Sequence, residues 1–401
     1  MIEPSSQAPE LPRRISVLGA TGSIGVSTLD VLKQAGGREQ FEIIALTGMG
    51  NVELLAAQAK AVGARIAVTA DVAKYADLKA ALSGSGIEAA AGGEALCAAA
   101  SEPADWVMAG IVGIAGLAPT MAAARAGATI ALANKECLVS AGDLFLAETG
   151  KAGVTVVPVD SEHSAIHQCL AGEPHDTIEQ IVITASGGPF RTFTVEQMRG
   201  VTPAQAAGHP KWSMGQKISI DSASMFNKAL EMIEARHLFH VQPDQIKVVV
   251  HPQSIVHSAV AFTDGSMIAQ MGMPDMRTPI AYALAYPSRI AVNVARLDLV
   301  ALSRLDFEAP DEARFPALRL AQEVMAHGNA AGAVFNGAKE TALEAFIAGK
   351  IKFLDMAAIV ETVLTKLGAL PAPQTLDDVF EADRQARSLA AQACKTFGGA
   401  K

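Results

Sequence analysis

The chain has 401 residues, half of them apolar, a formal net charge of -9 and 4 cysteines. A chain of that size and apolar content can bury a large core of Ala, Val, Ile and Leu without help from a disulfide or structural metal. Its acidic balance argues against wholesale nucleic-acid binding, though not against a local basic pocket for one phosphorylated metabolite. Cys97, Cys137, Cys169 and Cys394 form no CxxC pair, so a reduced, cytoplasmic protein is expected.

The opening MIEPSSQAPELPRR has no apolar run typical of a secretory leader, and none is expected. Up to residue 159, short β-rich runs alternate with helical segments. RISVLG precedes a helix from about Ile24 and FEIIALTG one from about Asn51; RIAVTA, DWVMAG, ATIALA and VTVVPV continue the pattern. Such alternation predicts right-handed βαβ units and a parallel sheet covered on both faces, a Rossmann-like α/β domain over residues 1–159. The uncharged run Trp106–Ala124 is broken by Gly110, Gly113, Gly116 and Pro119. It reads as buried strand, turn and helix rather than a membrane span.

In VLGATGSIGVSTLDVL, glycines 19, 22 and 25 fall where a strand gives way to a helix. Small residues there let backbone N–H groups approach a pyrophosphate at a helix N-terminus, and Thr21 and Ser23 add hydroxyls. The spacing is GxxGxxG, so a tight turn without a ligand stays open as an alternative. The second strand ends in ALTGMGN, with no carboxylate to hold a ribose 2′-hydroxyl, which leans toward NADP over NAD.

After Asp160 the pattern changes. PVDSEHSAI places Asp160 and Glu162 at i and i+2, either as paired metal ligands or as the cap of a helix. QIVITASGGPF reads as a strand entering a glycine turn at Ser186, and IKVVVHPQSIVHSAVAF as two strands. Between them lie the polar loop GHPKWSMGQK and a helix, ASMFNKALEMIEARHLF. That helix puts Asn227, Lys228 and Glu231 on one side with Ser222 at its approach, a set suited to a phosphate monoester and a hard cation. A surface Lys–Glu pair would account for the same spacing. Asn134, Lys135 and Glu136 follow ATIALA at a strand's carboxyl end, where ligands of open α/β sheets lie. Trp212 and Met214 suit either a core anchor or a lid, and His209 and His257 either structural or functional roles. This reading gives an α/β catalytic domain over 160–297, a connector over 298–316 and a helical domain over 317–401. The terminal helices show no polar cluster that suggests chemistry and are assigned to packing or subunit contact.

Together GATGSIG, ALANKE, PVDSEHSAI, TASGGPFR, HPKWSMGQKISIDSASMFNKALEMIEA, HPQSIVHS and MGMPDMRTPIAYAL resemble the 1-deoxy-D-xylulose 5-phosphate reductoisomerase family, in the family's order. The resemblance implies a homodimer with an NADPH-binding domain, a catalytic domain with a flexible loop and a helical bundle. It implies metal ligation by Asp160, Glu162 and Glu231, with Mg2+, Mn2+ or Co2+ as the ion. It assigns Ser186, Ser222, Asn227 and Lys228 to the phosphate of a small phosphorylated sugar, and Ser161, Lys135 and His209 to the rest of it. Glu162 and Glu231 would also face this substrate, with Trp212 and Met214 on a lid above it. Lys135, Glu162 and His209 are the expected catalytic residues. Thr21, Gly22, Ser23, Ile24, Gly50, Asn51, Asn134, Glu136 and Gly215 would face NADPH. Gly50 stands where many relatives carry a basic residue. No nucleic acid or membrane partner is expected. The reaction implied is metal-dependent rearrangement of 1-deoxy-D-xylulose 5-phosphate, then reduction to 2-C-methyl-D-erythritol 4-phosphate. An NADP-dependent dehydrogenase of another small phosphorylated aldehyde would use the turn and phosphate groups but not three carboxylates. A nucleotide-sensing regulator would account for the first domain only.

Overall fold

Seven short strands rich in Val, Ile and Ala build the first sheet of the computed structural model, which describes residues 12–208 and 215–398. They are β1 (Arg13–Leu18), β2 (Phe41–Gly48), β3 (Ile66–Thr69), β4 (Glu88–Ala91), β5 (Trp106–Ala109), β6 (Thr129–Leu132) and β7 (Val156–Pro158). Every pairing is parallel, in the order β4-β3-β2-β1-β5-β6-β7. The strand order reverses between β1 and β5, which marks the carboxyl end of those two strands as the ligand crevice of such a sheet. The strand β4, sequence EAAA, was not among the expected ones, because alanine carries no β signal.

The crossovers of this sheet are α1 (Ser23–Gln34), α2 (Val52–Val62), α3 (Tyr75–Ala81), α4 (Gly93–Ala100), α5 (Leu117–Arg125) and α6 (Lys135–Ala152). The run Trp106–Ala124 is indeed strand, turn and helix, and among the described residues no helix is long and apolar enough to cross a membrane.

The rest of the chain holds α7 (Ser161–Cys169), β8 (Ile178–Ala185), α8 (Val195–Met198), α9 (Pro203–Ala206), α10 (Gln216–Ala223) and α11 (Phe226–Phe239). Then come β9 (Ile246–Val250), β10 (Val256–Phe262), β11 (Met267–Met271), α12 (Arg277–Ala285) and α13 (Leu299–Leu302). Four helices finish it: α14 (Ala317–His327), α15 (Ala331–Ile347), α16 (Asp355–Leu367) and α17 (Leu376–Gly398). The second sheet runs β11-β10-β8-β9, with β8 and β9 parallel and the other pairs antiparallel.

The compact units divide the chain differently from the boundaries expected at 159, 297 and 316. One unit comprises residues 1–134, 148–159 and 276–293, the other 135–147, 160–275 and 294–401. The expected catalytic segment thus loses α12 to the first unit. Its residues Ile280, Tyr282 and Leu284 share a core with Ile15, Val17 and Trp106, and the Trp106 indole donates to the Ala283 carbonyl at 3.1 Å. The terminal helices form no separate core. Phe335, Phe346, Val360 and Ala386 pack in one cluster with Ile181 and Ile183 of β8 and Phe226 of α11. The predicted helix over 223–239 is two helices. Met225 adopts a left-handed conformation (φ 63°), so α11 begins at Phe226 and Ser222 belongs to α10.

Candidate active site

Asp160 shows that the two readings of PVDSEHSAI are compatible. It is the N-cap of α7, and its Oδ1 accepts from the Glu162 N–H at 3.2 Å. Its Oδ2 lies 2.7 Å from the Lys135 ammonium at the start of α6. One carboxylate therefore starts a helix with one oxygen and faces a charged cluster with the other.

Glu231 completes that cluster from α11. Ligand oxygens of Asp160, Glu162 and Glu231 all lie within 4.8 Å of one another. Helical spacing aligns Asn227, Lys228 and Glu231 as expected: the Asn227 amide donates to Glu231 Oε1 at 2.6 Å, and Lys228 donates to Glu231 Oε2. Lys228 also donates to Glu162 Oε1 at 2.7 Å, while Lys135 donates to Glu231 Oε1 at 2.7 Å and to Asn227 Oδ1 at 2.8 Å. The Ser161 hydroxyl donates to Glu162 Oε2.

Charge explains what such an arrangement can hold. Three carboxylates face two lysines, so one negative charge is uncompensated in a site where Glu231 is fully buried. Burial, then the neighbouring Glu162, pushes the Glu231 carboxyl up to about 7. Burial disfavours the charged lysines, but the carboxylates outweigh it and raise both Lys135 and Lys228. Burial alone would raise Asp160, yet Lys135 and His163 hold it well below the usual carboxylate range. A set of hard oxygen donors with surplus negative charge fits a divalent cation of the Mg2+ or Mn2+ type.

His163, which the sequence left without a role, lies beneath this cluster. It is fully buried, donates through Nε2 to the Glu231 carbonyl at 2.9 Å, and places Nδ1 3.0 Å from the buried Glu234 carboxylate. Burial works against its protonation, but Glu234 prevails and lifts it to about 9. The spacing of Glu231 and Glu234, one turn apart on α11, was the available signal.

The expected phosphate residues come from three segments that meet. Ser186 follows β8 directly, and its hydroxyl accepts from the Gly188 N–H at 3.1 Å. The Gly188 backbone lies so close to α10 that a Cβ there would come within 2.9 Å of Ala223 Cα and 3.1 Å of the Ser222 carbonyl. Gly215, the N-cap of α10, has open space around its Cα. His209, Trp212 and Met214 lie outside the described residues.

In the first unit, the glycine turn has the geometry of a dinucleotide cradle. Gly19 (φ +87°) sits against the loop after β5, where a Cβ would meet the Gly110 carbonyl at 2.6 Å. A Cβ on Gly25 would lie 2.3 Å from the Gly19 carbonyl, so only glycine lets α1 start this close to β1. Gly22 caps α1 without a side-chain bond, and Thr21, Gly22, Ser23 and Ile24 are exposed or half-buried around it. Free N–H groups at that helix start suit a pyrophosphate. Asn51 uses its side chain to cap α2 by accepting from Leu54 N–H at 3.1 Å, and Gly50 beside it has open space at Cβ. The Asn134 amide donates to the Ile111 carbonyl and, at 2.8 Å, to that of Gly113, which fixes the loop after β5. Glu136, expected at the cofactor, belongs to the second unit, where it is buried among Lys339, Glu340 and Asp221.

Known proteins share this fold over nearly the whole chain. A family model described as 1-deoxy-D-xylulose 5-phosphate reductoisomerase matches residues 15–142, and models of that enzyme's C-terminal domains match 156–239 and 271–389. The enzyme of that name from Sinorhizobium medicae is 63% identical over 382 residues, covering 95% of this chain and 98% of the relative. That from Agrobacterium fabrum is 60% identical over 391 residues, 98% of each chain. The solved Zymomonas mobilis enzyme in complex with NADPH superposes with a TM-score of 0.90 at 51% identity, covering 96% of this chain and all (100%) of that one. A DOX-P reductoisomerase in complex with NADPH, fosmidomycin and magnesium gives 0.91 at 42% identity, covering 96% of this chain and 98% of that one. The chain belongs to the 1-deoxy-D-xylulose 5-phosphate reductoisomerase family.

Proposed function

We propose that Asp160, Glu162 and Glu231 hold the divalent cation of an NADPH-dependent reductoisomerase, which converts 1-deoxy-D-xylulose 5-phosphate into 2-C-methyl-D-erythritol 4-phosphate in the non-mevalonate isoprenoid pathway. The observation that carries the reading is the convergence of those three carboxylates beside two buried lysines. A simple dehydrogenase has no use for it.

The cation, when bound, supplies Lewis-acid stabilisation of negative charge on the substrate's carbonyl and hydroxyl oxygens, and NADPH supplies the hydride. The chain's own groups do the rest. An ammonium has three N–H donors, and Lys228 spends two on Glu162 and Glu231, leaving one to meet a phosphate oxygen. Ser186, Ser222 and Asn227 add neutral donors around the same phosphate. Lys135 is saturated by Asp160, Glu231 and Asn227, and so acts as a fixed positive charge beside the reacting oxygens. Ser161 and Glu162 orient the substrate hydroxyls. Holding both fragments of a cleaved carbon chain in one pocket raises their effective concentration far above that in solution. The first unit's glycine turn, with Thr21, Ser23 and Asn51, carries the NADPH.

The working enzyme is a homodimer in the cytoplasm. Supporting the dimer, β11 is an edge strand that exposes Met267 and Ile268 to 60% and 40%, an apolar edge suited to a second copy. Supporting the compartment, all four cysteines are free. Incubating the full chain with deoxyxylulose phosphate, Mn2+ and NADPH and following NADPH absorbance tests the activity. Consumption that persists unchanged after dialysis against a chelator would leave the simple dehydrogenase standing. Light scattering tests the dimer, and a single-chain mass at micromolar concentration would refute it.

A further inference from the structure

Lys339 is a charged residue in an alanine-rich helix, yet it is only 3% exposed. Its ammonium donates to Asp221 Oδ2 of α10 at 3.0 Å. The buried Glu136, at the start of α6, adds a second carboxylate to its field. Among the described residues the ion pair of Lys339 is with Asp221, and Glu136 contributes its charge from farther away. Each carboxylate is next in sequence to a group assigned to the substrate: Glu136 follows Lys135, and Asp221 precedes Ser222. Asp221 also lies within the field of Lys135 itself.

The same helix grips both elements elsewhere. Gly332 of α15 lies so near α6 that a Cβ would fall 1.9 Å from the Val139 carbonyl, so only glycine fits. Glu344 pairs with Lys217 of α10 at 2.8 Å. Next to Lys339, Glu340 accepts from Arg387 of α17 at 2.5 Å, and Arg387 also donates to Asp383 Oδ2 at 2.6 Å. Burying an ion pair costs desolvation and is weak evidence for stability, whereas a directional pair fixes register.

We infer that Lys339 is a positioning residue for the reaction, anchoring α10 through Asp221 so that Ser222 meets the substrate in fixed geometry. The inference rests on the reductoisomerase reading above. It also gives a function in the reaction to a helical segment whose sequence suggested packing or subunit contact.

The test uses full-length Lys339→Met and Lys339→Met/Asp221→Leu, assayed with Mn2+, NADPH and deoxyxylulose phosphate where circular dichroism shows each folded. A misplaced substrate clamp predicts a kcat/KM for the sugar phosphate about tenfold to a hundredfold lower, carried mainly by KM. NADPH affinity, read by fluorescence without substrate, stays at the wild-type value. The double variant has no stranded Asp221 carboxylate, so it regains melting temperature lost in the single one while kcat/KM stays low. It decides alone if the single variant does not fold. Wild-type kcat/KM in either folded variant would overturn the inference, as would recovery of kcat/KM together with stability in the double one. A wild type without substrate-dependent NADPH oxidation overturns the enzyme reading and this inference with it; an active wild type with equally active variants overturns the inference alone.

Discussion

The two compact units offer candidate sites of opposite construction for binding charge. In the first, the candidate contacts are backbone N–H groups at a helix start, made accessible by Gly19, Gly22 and Gly25. In the second, they are acidic and basic side chains, Asp160, Glu162 and Glu231 against Lys135 and Lys228, already engaged with one another. A backbone cradle tolerates changes in side chain but not in bulk at its glycines. An ionic cluster tolerates small changes in bulk but not in charge, because removing one buried partner strands the others. Substitutions that separate bulk from charge should therefore affect the two units in opposite ways.

The largest expected effect comes from charge in the second unit. Glu231→Gln, nearly isosteric, should lower metal-dependent turnover on the order of a thousandfold in the NADPH absorbance assay. NADPH binding by fluorescence should hardly change; loss of both together would contradict the contrast. Lys228→Ala should raise the apparent KM for the sugar phosphate roughly 10- to 100-fold, the worth of a hydrogen bond to a charged group. An unchanged KM would remove Lys228 from the phosphate.

Bulk in the first unit comes next. Gly25→Ala puts a methyl 2.3 Å from the Gly19 carbonyl, so the turn must open. We expect weaker NADPH binding and a stability loss of about 1–3 kcal/mol by thermal melting, with metal affinity intact. Smallest is Gly50→Arg. Open space at Gly50 admits the side chain, and an exposed charge there should raise the preference for NADPH over NADH about two- to fivefold in paired kinetics. No change in that ratio would place the 2′-phosphate away from Gly50.

Much of this was legible in the sequence, for identifiable reasons. The parallel sheet followed from strands and helices alternating at short range, and the α11 cluster from i, i+3 and i, i+4 spacing. What stayed hidden was long-range or lacked a local signal. No pattern in RTPIAYALA reveals that α12 packs with α1, β6 and β7 rather than with its neighbours in sequence. The strand EAAA has no β-branched residue. A lysine among alanines reads as a solvated face, and only the burial of Lys339 shows otherwise. At Asp160 the cap is observed, and it leaves the second carboxylate oxygen facing Lys135, so the cap does not compete with the ligand reading.

That division of labour narrows what evolution can try at position 160. Asparagine would keep an oxygen for the Glu162 N–H and lose the charge facing Lys135. Glutamate would keep the charge, but one methylene more carries the oxygens past the N-cap position. Serine would cap and do no more. Two independent selections, one for starting α7 and one for the charge balance of the cluster, intersect in a single amino acid.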